Sequence, residues 1–196
     1  MVVSLYERSL DGNDIFARMQ LRNGYMDNIN YNIYSKLLNL LKKTSDVGKV
    51  SKVIYLRCPP TETQNRIRIR NRPSELNGCP LNYLTQLHIL LEETFNNDEC
   101  VVIDASKPAD VVFSEVAEIL EPLSRGGEVI HVAIEGNIGV GKTTLIRLLS
   151  KTIPECKLQY EEPVADWPLE QYYKDHAKWA FPLQIATLLS VAENKT

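Results

Sequence analysis

The chain has 196 residues, 44% hydrophobic and 24% charged, with 22 Lys+Arg against 25 Asp+Glu. That composition excludes disordered, collagen-like and low-complexity classes, and a formal net charge of −3 gives no electrostatic reason to expect nucleic acid or an acidic membrane as partner. No apolar run approaches the roughly 20 residues of a membrane helix, and residues 1–7 do not read as a leader. The four cysteines (Cys58, Cys79, Cys100, Cys156) form no CxxC pair and read as reduced thiols, so a single cytoplasmic domain over 1–196 is expected.

The first element in chain order is a strand at 2–5, near-continuously apolar as in a strand buried on both faces. Glu7-Arg8-Ser9 follows directly, placing a charged pair at the carboxyl end of a strand, where α/β folds bind ligands. Arg8 could clamp phosphate or hold a carboxylate and Glu7 could help hold Mg²⁺; a surface ion pair is the competing reading. Helical spacing covers 31–41, a strand 53–56 and a helix 62–70. Four arginines at alternate positions (Arg66, Arg68, Arg70, Arg72) run through the end of that helix. On a helix Arg66 and Arg70 share one face and Arg68 and Arg72 another. An arginine-bearing lid over phosphates fits this better than a nucleic-acid patch or a solvated helix. A helix at 81–95, a strand at 101–103 and a helix at 110–120 follow, then a linker-like Ser124-Arg-Gly-Gly-Glu128.

A strand at 129–134 leads into Gly136-Asn137-Ile138-Gly139-Val140-Gly141-Lys142-Thr143, which fits G-x-x-x-x-G-K-[ST]. It lies between that strand and a helix at 142–150, the context that gives the motif meaning. Glycines let the backbone N–H groups cradle phosphates and the helix N-terminus adds positive potential; Lys142 would reach the β/γ-phosphates and the Thr143 hydroxyl would ligate Mg²⁺. A weaker strand at 158–160 ends at Glu161-Glu162-Pro163-Val164, with Trp167 beyond. Glu162 could take a proton from an attacking hydroxyl, or be a solvated carboxylate. A helix at 179–192 closes the pattern. About sixty residues follow Gly136, too few for a domain of their own, so the earlier strands complete the same sheet. The expected fold is α/β, a five-stranded parallel sheet with helices on both faces.

Together these motifs resemble the deoxyribonucleoside kinases of the deoxycytidine, deoxyguanosine, mitochondrial thymidine and insect multisubstrate kinase group. The loop at 136–144, Glu162-Pro-Val-x-x-Trp167 and Tyr173-Lys-Asp-x-x-Lys-Trp-Ala-x-Pro-x-Gln184 match the family's front half in order. Glu7-Arg-Ser9, the lid at 66–75, Leu81-x-Tyr-Leu-x-x-Leu-His88 and Ile103-Asp104-Ala105 match its back half in order. The halves are exchanged: 1–123 resembles the back half and 129–196 the front half, joined through 124–128 as in a circular permutant.

The resemblance implies a P-loop kinase fold in permuted order and ATP-dependent, Mg²⁺-assisted phosphorylation of the 5′-hydroxyl of a deoxyribonucleoside. It makes Glu162 the general base with Arg8 beside it and Lys142 on the phosphates. Gly136, Asn137, Ile138, Gly139, Val140, Gly141, Thr143 and Thr144 would bind ATP with Arg66, Arg70 and Arg72 from the lid. Thr143 and Glu7 would hold Mg²⁺. Tyr173 and Glu75 would bond the sugar 3′-hydroxyl and Gln184 the Watson–Crick edge of the base, with Trp167 and Phe16 packing around it. Leu183 stands where the family often has an aromatic, and Asn13 and Asp14 where base choice is tuned. Val140 replaces a small polar residue, with the loop's N–H donors expected to survive.

The apolar face around 31–41 suits a homodimer. The implied partners are a deoxyribonucleoside and a nucleoside triphosphate, with no nucleic acid and no membrane. A thymidylate-type monophosphate kinase is the nearest alternative, disfavoured because Glu162 would repel an acceptor phosphate. A nucleotide-binding module without turnover would not need Glu162. The histidines have no metal-ligand spacing; His131 reads as a core strand residue, His88 and His176 as helix-surface residues.

Overall fold

Five strands, Val3–Glu7 (β1), Lys52–Arg57 (β2), Cys100–Asp104 (β3), Ile130–Gly136 (β4) and Cys156–Tyr160 (β5), pair in parallel as one sheet of order β3-β2-β4-β1-β5. The coordinates are a computed structural model describing residues 2–45, 47–123 and 129–193; the expected linker at 124–128 lies outside the described residues. All five expected strands are present, each extended or shifted slightly because ladder pairing continues past the apolar run, as in Glu7 opposite Ile134.

The helices are Leu10–Arg22 (α1), Asn28–Thr44 (α2), Pro60–Arg70 (α3), Pro73–Gly78 (α4), Leu81–Phe95 (α5), Ala109–Leu123 (α6), Lys142–Thr152 (α7), Leu169–Lys174 (α8) and His176–Glu193 (α9). They cover both faces, which is why the strands read as apolar on both sides. On one face Val3, Leu5, Ile54, Leu56, Val132 and Ile134 pack against Val112, Val116 and Leu120 of α6 and Leu145, Ile146 and Leu149 of α7. On the other, Tyr6, Tyr55, Ala133 and Tyr160 meet α1, α2, α5 and α9. The glycine-loop strand β4 is fourth in the chain yet central in the sheet, flanked by β2 and β1. Its carboxyl end and that of β1 therefore share one rim.

Three helices are additional to the expected pattern. Helix α1 contains Gly12, Asn13 and Asp14, poor interior helix formers, but Ser9 caps it by accepting from Gly12 N at 3.1 Å, and Ile15 and Met19 anchor it in the core. Helices α4 and α8 have six residues each, under two turns and too short to show periodicity. Helix α2 exposes an apolar stripe of Ile29, Ile33, Leu37 and Leu40. The histidine expectations are corrected: His131 is only half-buried and bonds the Tyr6 hydroxyl at 2.9 Å, and His88 and His176 are half-buried. His176 is drawn in by ring packing on Tyr25 and Tyr172, with centroids 4.9 and 4.6 Å away. Among the described residues no helix is long and apolar enough to cross a membrane.

Candidate active site

The chain leaves β4 through three glycines in left-handed backbone, Gly136, Gly139 and Gly141, with φ of 149°, 82° and 106°. At Gly139 a Cβ would stand 2.8 Å from Ile67 and from the Thr63 carbonyl, so glycine is what lets the loop pass close under α3. Asn137, 1% exposed, fixes the turn: its side chain donates to the Leu84 carbonyl at 2.9 Å and accepts from Ile138 N at 2.8 Å. Its own carbonyl accepts from Val140 N at 3.3 Å. Two loop N–H groups, those of Ile138 and Val140, are thus bonded inside the loop. The Val140 side chain packs into the core instead.

Gly141 opens α7 without a side-chain cap, leaving the first N–H groups of that helix without intrahelical partners. Lys142 is buried against the loop, its Nζ donating to the Gly136 and Asn137 carbonyls at 3.2 and 3.3 Å. Burial, and next the nearby Arg8, push its pKa down.

Glu7 and Arg8 are 4% and 3% exposed, which removes the surface-pair reading. Arg8 adopts φ 81°, a conformation rare outside glycine, held by its N–H on the Ile134 carbonyl at 3.2 Å and by its guanidinium 4.5 Å above the Phe16 ring. Its Nε donates to Glu162 Oε1 at 2.6 Å and its Nη1 lies 3.8 Å from Glu135 Oε2. Burial opposes its charge, but Glu162 and Glu135 outweigh that and raise its pKa further. Glu135 is fully buried and accepts from Ser9 N and Ser9 Oγ at 2.6 and 2.7 Å, so it fastens the start of α1 to β4. Burial pushes its carboxyl up. Thr143 Oγ1 donates to Glu7 Oε1 at 2.6 Å and Glu162 N donates to Glu7 Oε2 at 3.3 Å. Burial, then Glu162, raise the Glu7 pKa.

Above the loop, α3 turns into α4 at Asn71, with φ 57°. Arg70 and Arg72 converge on the buried Glu75, Arg72 Nη1 at 3.3 Å from Oε1 and Arg70 Nη2 on Oε2. Arg66 instead bonds Glu62 at 3.0 Å and the Val140 carbonyl at 3.1 Å.

Many of these groups line one cavity of about 250 Å³. Its charged and polar lining includes Glu7, Arg8, Arg70, Arg72, Glu75, Lys142, Thr143, Thr144 and Glu162, with Ile138, Gly139 and Gly141 of the loop. The same cavity is lined by Phe16, Trp167, Tyr173, Leu183 and Gln184. Trp167 is oriented by its Nε1 donating to Ser190 Oγ at 2.8 Å; the Tyr173 hydroxyl lies 3.3 Å from Cys79 Sγ. Of the expected site residues, Gly136, Asn137, Val140 and Arg66 shape the loop and lid without lining the cavity. Asp14 turns away onto Tyr31 and Arg18 while Asn13 lines the wall. Sequence reasoning missed Glu135, whose signal was a charge inside an apolar strand, and the cavity residues Gln20, Tyr83, Arg147, Tyr172 and Thr187. The arrangement can hold a polyanion over a glycine loop with a carboxylate close by, beside the aromatic side chains of Phe16, Trp167 and Tyr173.

The family model for the deoxynucleoside kinases matches residues 2–121 and 132–196, nearly the whole chain. The chain belongs to that family. A viral relative, "Putative kinase protein 029R" of Invertebrate iridescent virus 3, is 30% identical over 125 residues, 63% of this chain and 62% of its own. "Deoxyadenosine kinase" of Dictyostelium discoideum is 43% identical over 60 residues, 31% of this chain and 24% of its own. "Putative kinase protein 143R" of Invertebrate iridescent virus 6 is 40% identical over 60 residues, 30% of this chain and 29% of its own. The chain thus spans less than two thirds of each of these relatives. No solved structure matches it significantly.

Proposed function

We propose that the protein phosphorylates the 5′-hydroxyl of a deoxyribonucleoside with ATP as donor. The single observation that carries this reading is the juxtaposition of the Arg8–Glu162 pair with the Lys142–Thr143 end of the glycine loop in one cavity that Phe16, Trp167 and Tyr173 also line. Glu162 is the general base: it accepts the proton of the 5′-hydroxyl as that oxygen attacks the γ-phosphoryl group. Arg8 fixes the carboxylate's orientation through its Nε. Lys142 and the free N–H groups at the start of α7 hold the phosphates; Arg70 and Arg72 close on them from the lid. Tyr173 and Glu75 take the sugar 3′-hydroxyl, Gln184 the Watson–Crick edge of the base, and Trp167, Phe16 and Leu183 its faces.

The donor set beside the loop fits Mg²⁺, a hard cation that takes oxygen ligands and retains water and phosphate oxygens. Thr143 Oγ1 and Glu7 Oε1, 2.6 Å apart, would hold it. When bound, the ion neutralises charge on the transferred phosphoryl group.

In this reading the chain is one kinase domain with its halves exchanged relative to the family, 1–123 being the back half and 129–196 the front half. The family matches at 2–121 and 132–196 break around the expected junction. The apolar stripe of α2 supports a homodimer formed helix against helix. Free thiols, three of them buried, fit a reducing cytoplasm.

The test offers γ-labelled ATP with deoxyribonucleosides and, in parallel, with their 5′-monophosphates. Label on the nucleosides alone is the expected result. Label on the monophosphates alone would replace this reading with a monophosphate kinase, and ATP binding without transfer would replace it with a binding module.

A further inference from the structure

Two buried polar groups in the cavity have no role in the reaction described above. Gln20 is 1% exposed and lines the cavity, yet neither its Oε1 nor its Nε2 has a hydrogen-bond partner. Tyr172 is also 1% exposed and lines the cavity, and its hydroxyl is equally unpartnered. The hydroxyl lies near both the Gln20 side chain and the Tyr83 hydroxyl, but neither approach closes a hydrogen bond of acceptable geometry. An amide and a hydroxyl buried unpaired are unfavourable, and Leu or Phe would fill the same space without that penalty.

Both groups are also held in place. The Gln20 carbonyl accepts from Tyr25 N at 2.9 Å and Met26 N at 3.2 Å, which fixes the end of α1 beneath the side chain. The Tyr172 ring is packed between Tyr173 and His176, with centroids 5.3 and 4.6 Å away. Along α1, Asn13, Phe16 and Gln20 fall at helical spacing on one face, and all three line the cavity. Gln20 therefore lies on the same wall as Phe16, while Gln184 comes from a different helix, α9.

We propose that Gln20 and Tyr172 donate to the nucleobase at an edge other than the one Gln184 takes, and that they make the site select purine deoxyribonucleosides. The inference rests on the kinase reading. With the Watson–Crick edge on Gln184, a purine still presents the N7 acceptor, whereas a pyrimidine presents only C5–H or a methyl group there. A purine gives the Gln20 amide or Tyr172 hydroxyl its missing partner; a pyrimidine leaves both unpaired. Sites built to hydrogen-bond a group reject analogues lacking it far more strongly than apolar pockets reject a size change.

The test compares kcat/KM of the full chain for 2′-deoxyadenosine and for 7-deaza-2′-deoxyadenosine, which has C–H in place of N7, alongside deoxycytidine and thymidine. Wild type is expected to lose about tenfold or more on 7-deaza substitution, and Gln20→Leu to reduce that difference to about twofold. Ligand-free Gln20→Leu is expected to melt at or above the wild-type temperature, since it removes an unpaired amide; a structural amide would lower it. Tyr172→Phe, which removes one oxygen, carries the same comparison if Gln20→Leu does not fold. Equal turnover of the two adenine analogues by wild type, or discrimination that survives both substitutions, overturns this inference and leaves the kinase reading standing. Absence of turnover with every nucleoside overturns the kinase reading and this inference with it.

Discussion

Arg8 Nε donates to Glu162 Oε1 at 2.6 Å, tying the end of β1 to the segment after β5 across 154 positions of sequence. The same guanidinium faces the fully buried Glu135 through Nη1 at 3.8 Å. One buried cation thus serves two carboxylates, and losing it strands a charge that has no solvent to turn to. Arg8→Met is expected to lower unfolding stability by about 3–5 kcal/mol, measured from denaturant midpoints at unchanged slope. A loss under about 1 kcal/mol would mean that the pair contributes little beyond packing.

Glycine 12 makes this arrangement possible. A Cβ there would stand 2.3 Å from Glu135 Oε1 and 2.5 Å from Arg8 Cγ, inside the closest contacts atoms make. Gly12→Ala should therefore destabilise the fold by about 1–3 kcal/mol although alanine is the better helix former. A variant as stable as wild type would show that Glu135 can move aside.

On the same face of the sheet, over β2, Glu92 of α5 accepts from Arg57 Nε and Nη2 at 2.9 and 2.8 Å and from the Tyr55 hydroxyl at 2.8 Å. Burial works against its charge, but Arg57 and Tyr55 outweigh it and hold the carboxyl below its usual value of 4.5. A carboxyl depressed in the folded state adds stability above its ordinary pKa and loses it as pH falls through the folded value. With both partners partly exposed, Glu92→Gln is expected to cost about 1 kcal/mol at neutral pH, with the gap from wild type closing under acid. Melting curves across pH check this; a gap independent of pH would contradict it.

Helix α2 leaves Ile33 and Leu37 45% and 40% exposed, one turn apart on a face that nothing in the chain covers among the described residues. Ile33→Glu with Leu37→Glu should shift a dimer to monomer in sedimentation velocity without unfolding the chain. A wild-type protein that sediments as a monomer would exclude the helix-to-helix pairing.

Strands and phosphate loop were legible for physical reasons. A parallel strand covered on both faces leaves a continuous apolar run, and a phosphate-cradling loop needs glycines at fixed spacing ahead of a helix. Helix α1 was not, because Gly12 is set by the approach of Glu135 and Asn13 faces the cavity, so two interior positions serve tertiary needs against helix propensity. Glu135 left only a charge in an apolar strand as its trace, and its purpose appears once β1 and β4 are neighbours. Arg66 and Arg70 share a helix face, as their spacing indicates, yet Arg66 reaches the Val140 carbonyl while Arg70 reaches Glu75. Which arginine faces the cavity depends on how α3 sits over the loop, and spacing alone carries no such information. Gln20 gave no signal, since an amide on a helix is ordinary until both its atoms are found buried and unpaired.

The most direct test of the account is ATP-dependent 5′-phosphorylation of deoxyribonucleosides by the wild-type chain beside Glu162→Gln. The substitution keeps size and a hydrogen-bonding oxygen for Arg8 but removes the base. Wild type is expected to transfer phosphate measurably and the variant to lose about 10²–10⁴-fold in kcat, with ATP affinity changed little. Equal turnover by the two proteins would contradict it, because the proton of the attacking hydroxyl would then leave by another route.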